Sequence, residues 1–494
     1  MKVFIVLLLQ ILVLATAVSA QSENTAEYWR QNAQAFLRSK LNEKYKTKKA
    51  KNIIMFLGDG MSLSTVSAVR AYLGNEGIST VFDRFPYFGF SKTYCVNGQT
   101  ADSSCTATAY LNGVKGNMLT TGVTANVQAE QCVITEKDKT ESIASWAQKA
   151  GKATGLVTTT TVTHASPSGA YANTPSRFWE GNKVLDQMCG STTNVRDIAH
   201  QLINGEVGKK FKVILGGGRA HMINSTMMDE EGQFGQRTDG RNLINEWLTA
   251  KNQQNVGQFV WHKQQLHEVN YTTVDYLLGL FESLDCLYQM DINDGNLHNQ
   301  EPTLTDMTVA AIRLLEKDPN GYFLFVESGK IDHAHHYNQA NRAMVETAEF
   351  IRAIEAARAM TKDDDTLIVI TSDHSHTFTY SGYGSRKSDI LGFGGISDMD
   401  QKPYLKLSYA NGPAYDTTYI KNTAERVDLT NVDIHNHAFL QSATVPLSAE
   451  THAGDDVGIF ASGPFEHLFA GSYEQNNIPM LMAYAAQIGP FAKK

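Results

Sequence analysis

The chain has 494 residues, 42% of them hydrophobic and 19% charged, with a formal net charge of −8 at pH 7. That length and apolar content suit a globular protein with a large buried core, and the acidic balance speaks against a nucleic-acid partner. The five cysteines, Cys95, Cys105, Cys132, Cys189 and Cys286, lack the Cys-x-x-Cys spacing of a zinc clip and read as structural, with at least one left over.

In chain order, residues 1–20 read as a secretory signal. Lys2 gives the positive start, residues 3–18 the apolar stretch, and Val18-Ser19-Ala20 the small residues for cleavage before Gln21. No other segment approaches the length that spans a bilayer, and residues 484–494 show no apolar tail of the kind a glycolipid anchor needs. The expectation is a secreted, extracellular protein in which Asn224 and Asn270, each followed by the x-Thr of an acceptor sequon, can carry N-glycans.

Near-continuous apolar runs at 53–57, 155–158, 213–215, 322–326, 366–370 and 457–461 predict strands of a parallel sheet covered on both faces. The spacing at 141–149, 305–315 and 340–358 predicts helices between them. The expected fold class is α/β, a three-layer αβα sandwich with a large, mostly parallel central sheet. Residues 378–448, rich in Gly, Tyr, Ser and Asp, read as an insertion on its rim, within one catalytic domain of residues 21–494.

Five polar segments stand out, three of them directly after presumed strands: Gly58-Asp59-Gly60-Met61, Asp102-Ser103-Ser104, Glu327 to His336, Ser372-Asp373-His374 and Thr451-His452-Ala453-Gly454. Carboxylates, imidazoles and a hydroxyl are the ligand types of a site for several divalent metals. Segments so far apart converge only where parallel strands end side by side, which is where open α/β sheets hold ligands. Asp59 sits between glycines that allow a sharp turn. Asp332 and His336, four apart, share a face if 330–336 is helical. Glu327 ends the preceding strand, and Asp373-His374 ends another. His333, His335 and His376 read as residues behind the ligands or at the rim, and His435 and His437 as surface residues of the insertion. Ser103 needs a base or a metal to act as a nucleophile. The stretch after it looks like a helix start able to face an anion, or one that Asp102 or Ser103 simply caps.

The run Asp102-Ser103-Ser104-Cys105-Thr106-Ala107-Thr108-Ala109-Tyr110 resembles the nucleophile motif of the alkaline phosphatase family. The likeness extends over residues 51–485 and is nearest to animal, insect-like secreted members. It implies a phosphate monoester hydrolase of broad range and alkaline optimum, acting through a phosphoserine at Ser103 with two zinc ions and one magnesium. One zinc would take Asp332, His336 and His452; the other Asp59, Asp373 and His374, with Ser103 alongside. Magnesium would take Asp59, Ser166 and Glu327. Arg177 would grip the phosphate, with His164 and His333 behind the ligands. A calcium-type site maps to Glu231, the Phe281 carbonyl, Glu282 and Glu301. The likeness also implies a homodimer and a Cys132–Cys189 disulfide; Cys95 and Cys105 could form a second. Ser104 replaces the family's usual Ala, and Asn112 a Cys of some members, but no ligand is lost. A sulfatase would need an Arg after Cys105 that the run Thr-Ala-Thr-Ala does not supply. A phosphodiesterase of this type would lack Arg177, Ser166 and Glu327.

Overall fold

Ile53-Ile54-Met55-Phe56-Leu57 carries no polar side chain toward either side, and such a strand needs cover on both faces. In the computed structural model, which describes residues 25–253, 255–295 and 300–492, it forms β1 (Asn52–Gly58), buried throughout beyond Asn52. The expected signal at 1–20 lies outside the described residues. The chain divides into two units, residues 1–46 and 47–494. In the first, the helix Ala26–Leu41 is capped by Thr25 and buries none of its side chains.

The second unit is built on a ten-stranded sheet. Besides β1 it contains β2 (Tyr87–Lys92), β3 (Ala153–Thr161), β4 (Val213–Gly217), β5 (Gly257–Val260), β6 (Tyr276–Leu280), β7 (Tyr322–Ser328) and β8 (Thr366–Thr371), with the strands Val457–Ser462 and Gly471–Glu474. Across the sheet the order is Gly471–Glu474, β2, Val457–Ser462, β8, β1, β7, β3, β4, β6, β5.

Side chains alternate between two cores. Ile54, Phe56, Leu324, Val326, Ile368 and Ile370 pack with the helices Leu63–Leu73, Leu304–Leu315 and Ala340–Met360. Ile53, Met55, Leu57, Phe323, Phe325 and Val369 pack with Ser103–Asn112, Ile143–Lys149, Ile198–Asn204 and Asn477–Ala486. The result is the expected αβα sandwich. Register puts the business ends level: Leu57 pairs with both Glu327 and Thr371, and Thr158 with Glu327. Asp59, Glu327 and Asp373 therefore leave neighbouring strands at one edge.

One expectation needs correcting. Residues 457–461 do form a strand, but it runs antiparallel to both β2 and β8, while every other pairing in the sheet is parallel. The chain enters it from the edge where β8 ends, so it must run back. An apolar run reports cover on both faces and says nothing about direction.

Four strands escape the apolar pattern. In β2 the buried residues are Gly89 and Ser91 while Phe88 and Phe90 face outward, which inverts the usual signal. β5 and Gly471–Glu474 are short edge strands. β6 is apolar but its pattern is broken by Gly279.

Residues 378–448 hold a three-stranded sheet (Phe378–Tyr380, Leu407–Gly412, Ala443–Pro446) and a hairpin of Phe393–Ile396 with Pro403–Leu405. Phe378, Leu407, Tyr409 and Ala443 belong to the main core, whereas Leu405, Leu429 and Ile434 form a small cluster of their own. Both disulfides are formed, Cys132–Cys189 and Cys95–Cys105; Cys286 is free and buried.

Phe325 is fully buried at the centre of the sheet, its ring stacked near that of Tyr110 on the helix Ser103–Asn112. Phe325→Ala should cost about 3–5 kcal/mol of stability, read as a fall in the denaturation midpoint by equilibrium unfolding.

Candidate active site

The turn after β1 is built by glycine. Gly60 has φ +65°, and a Cβ there would lie 2.4 Å from His376 Nε2. Its N–H donates to Asp373 Oδ1 at 2.9 Å, tying the end of β1 to that of β8. Between them Asp59 is wholly buried.

The helix Lys330–His336 places Asp332 and His336 on one face, with His336 Nε2 3.3 Å from Asp332 Oδ2. His452, arriving just before the antiparallel strand, puts Nε2 3.4 Å from Asp332 Oδ1 and 3.1 Å from His336 Nε2. The opposite ring nitrogens are fixed: His336 Nδ1 donates to the Glu450 carbonyl at 2.5 Å and His452 Nδ1 to the Ala101 carbonyl at 2.7 Å. A carbonyl accepts only, so a proton sits on each Nδ1, and the two Nε2 atoms face each other beside a carboxylate. That arrangement calls for a cation, and it is how metal-binding imidazoles are prepared.

Asp59, Asp373 and His374 form a second group. His374 Nε2 lies 2.9 Å from Asp373 Oδ2, 3.7 Å from Asp59 Oδ1 and 3.2 Å from Ser103 Oγ. Asp59 Oδ1 and Glu327 Oε1 are buried without a hydrogen-bond partner. Orphaned carboxylate oxygens at one point fit cations that they would share. Ser166 donates to Asp59 Oδ2 at 3.3 Å, and Thr158 to Glu327 Oε2 at 2.5 Å. His164 also brings a ring nitrogen within 4.8 Å of Asp59 and Glu327 oxygens.

Burial raises Asp59 well above the usual carboxylate range, helped by the charges of Asp373, Asp332 and Glu327. Glu327 is pushed up to about 7, burial again outweighing its hydrogen bonds to Thr158 and Ser166. Burial would raise Asp332 too, but His336 and His376 hold it well below normal; His374 does the same for Asp373.

Three residues offer ligand-type atoms around that of Asp332: His336, His452 and also His376. His376 differs from the other three in its partners. Both its nitrogens face carboxylates, Nε2 toward Asp332 Oδ1 at 2.6 Å and Nδ1 toward Glu450 Oε2 at 2.5 Å. Against burial, those charges push it up to about 10. A doubly protonated imidazole has no lone pair to give.

Ser103 opens the helix Ser103–Asn112, with Asp102 as its N-cap accepting from the N–H groups of Ser104 and Cys105. The capping alternative is thus realised together with the approach to His374. Asp102 also accepts from Leu119 N–H at 3.0 Å and pairs at 3.1 Å with Arg177, whose other terminal nitrogen meets His164 Nε2 at 3.1 Å. His333 Nδ1 lies 3.6 Å from Asp285, its ring edge-on to His164, and burial takes it down to about 4.

Of the calcium-type set, Glu282 and Glu301 interact directly: burial and the Glu282 charge push Glu301 up to about 9, and burial with the Glu231 charge raises Glu282. Phe281 follows the end of β6. Glu231 ion-pairs with the buried Arg219, as does Asp229. His435 and His437 lie on the surface, paired with Asp389 and Asp294.

Sequence reading missed Glu450, which binds His336 and His376, and the grip of Asp102 on Arg177. Only proximity to His452 and Ser103 in the chain could have signalled them.

Carboxylates and imidazoles gathered where parallel strands end, beside a buried serine and a held guanidinium, are the groups found in hydrolases that use metal ions. The family model described as alkaline phosphatase matches residues 50–488. The "Membrane-bound alkaline phosphatase" of Bombyx mori is 43% identical, over 96% of this chain and 88% of its own length. The "Alkaline phosphatase, tissue-nonspecific isozyme" of Gallus gallus is 44% identical, over 99% and 95%. The chain belongs to the alkaline phosphatase family, enzymes that hydrolyse phosphate monoesters and generally use metal ions. Its fold matches the alkaline phosphatases of the Antarctic bacterium TAB5 (TM-score 0.61, 19% identity, 90% of this chain and 99% of that one) and Thermus thermophilus (0.63, 22%, 90% and 93%). No helix among the described residues is long and apolar enough to cross a membrane.

Gly60→Ala would force a methyl into the His376 ring and disturb its contact with Asp332. Retained metal should fall about 10–100-fold in affinity, measured by equilibrium dialysis, while circular dichroism stays native.

Proposed function

We propose that this enzyme hydrolyses phosphate monoesters through a covalent phosphoserine at Ser103, with two zinc ions and one magnesium resident, an alkaline optimum and a broad substrate range. The observation that carries this reading is the 3.2 Å separation of Ser103 Oγ from His374 Nε2 at a helix start. Asp332, His336 and His452 would hold one zinc, Asp59, Asp373 and His374 the other, and Asp59, Ser166 and Glu327 the magnesium. Bound there, the cations would lower the pKa of nearby hydroxyl and water and offset phosphate charge.

Arg177 offers two terminal nitrogens to two phosphate oxygens, which suits a planar, bidentate grip. Asp102 and His164 fix the plane of that fork from either side. The Ser103 oxygen, its proton released to solvent, attacks phosphorus in line, forming the Oγ–P bond as the bond to the ester oxygen breaks. The leaving alcohol departs with the electron pair and gains a proton from solvent. Water, having given up a proton, then attacks the phosphoserine from the vacated side as the Oγ–P bond breaks, giving inorganic phosphate, and the Ser103 oxygen takes a proton back from solvent. Because both attacking oxygens act deprotonated, rising pH favours both steps.

The same reading takes the chain as an exported homodimer with residues 21–494 as the catalytic domain and residues 378–448 as a crown-like subdomain on its rim. Glu231, Phe281, Glu282 and Glu301 would hold a calcium ion: the buried Glu282–Glu301 pair fits a cation that relieves its repulsion. Asn270, exposed and followed by a hydroxyl that already bonds its Oδ1, suits a glycan.

Ser103→Ala should abolish acid-trapped labelled phosphate and lower kcat by orders of magnitude; label retained on that variant would refute the nucleophile. Arg177→Ala should lower kcat/KM by roughly 10²-fold or more, since two charge-assisted hydrogen bonds are lost.

A further inference from the structure

We propose that the Glu450 carboxylate is the positioning group for Asp332, His336 and His452, orienting Asp332 through His376 and holding the His452 segment against Thr377, and so setting how long that group retains its ion. The inference rests on the reading of those three residues as ligands.

Glu450 is 1% exposed, and all of its polar atoms are engaged within the site. Its N–H donates to the His336 carbonyl at 2.8 Å, and its own carbonyl accepts from His336 Nδ1 at 2.5 Å. This two-way hitch joins the end of the helix Lys330–His336 to the segment that carries His452. It also keeps the His336 proton on Nδ1, leaving Nε2 as a donor of electrons.

The side chain reaches a third segment. Oε1 accepts from the N–H and the hydroxyl of Thr377 at 2.6 and 2.5 Å, and Oε2 from His376 Nδ1. His376 passes the constraint on, with Nε2 2.6 Å from Asp332 Oδ1. Its own backbone pairs antiparallel with His452, and Ser375 with Ala453. Glu450 thus joins the segments ending in His336, following His374 and leading to His452. Among the described residues its carboxylate has no lysine or arginine partner and faces only these donors, so its place in the fold is defined by the ligand segments.

The test is the rate at which the metal-loaded enzyme gives up zinc to a chromophoric chelator. Glu450→Ala removes the acceptors for Thr377 and His376 and should speed release about 10–100-fold. It should also shrink the gap between the melting midpoints of the loaded and chelator-stripped protein. A merely structural residue would lower both midpoints equally and leave release at the wild-type rate; that result overturns the proposal. If Glu450→Ala does not fold, Thr377→Val, which takes one donor from Oε1, decides in its place: faster release supports the role, an unchanged rate refutes it. Asp332→Asn separates the two layers of argument. Unchanged release in that variant would refute the ligand reading itself. Faster release there, with a wild-type rate in Glu450→Ala, would refute only the positioning role.

Discussion

Four carboxylates, those of Asp59, Glu327, Asp332 and Asp373, meet with little or no exposure at one edge of a sheet whose strands are apolar on both faces. Their mutual repulsion is the constraint that orders everything near them. Without cations the charges are shared unevenly, with Asp59 and Glu327 pushed toward the protonated form and Asp332 and Asp373 held ionised by imidazoles. Cations at the same point would let all four ionise, and any ion bound there would couple to folding stability through this one edge. The fold supplies the compensation that protein groups can: Gly60 N–H on Asp373, Ser166 on Asp59, Thr158 on Glu327.

Orientation is settled one layer further out, and largely by backbone. The carbonyls of Ala101 and Glu450 select the tautomers of His452 and His336. Neither carbonyl depends on side-chain identity, so each is a property of how the loops are placed. Asp102 shows the same economy: one carboxylate caps the helix Ser103–Asn112, anchors Leu119 and aims Arg177. The Cys95–Cys105 disulfide closes the loop around it, so the serine and the guanidinium are referred to one rigid local frame.

Much of this was legible in the chain. β1, β7 and β8 announce themselves because buried parallel strands cannot hide a polar side chain, and Asp59, Glu327 and Asp373 fall at their ends. The i, i+4 spacing of Asp332 and His336 needed only one helical turn to be true. β2 was not legible, since its buried side holds only Gly89 and Ser91 while the large rings Phe88 and Phe90 lie on its exposed side. Glu450 was not legible either: a single glutamate carries no periodicity, and its meaning lies in partners more than seventy residues away in the chain. Nor could composition give the direction of residues 457–462.

That direction explains how His452 reaches the site. A parallel strand at this place would begin at the far edge of the sheet, and a residue just before it would lie a strand's length from Asp332. Running antiparallel, Val457–Ser462 begins at the edge where β8 ends, and His452 is delivered there directly from the insertion at 378–448. Departure and return of that long excursion are then closed against each other, by the pairing of His376 with His452 and by Glu450 on Thr377. The candidate site residues on either side of the insertion are therefore fixed by contacts at its base. Its outer part, with a small core of its own in Leu405, Leu429 and Ile434, can shape the approach to the site without setting the positions of Asp373, His374 and His452.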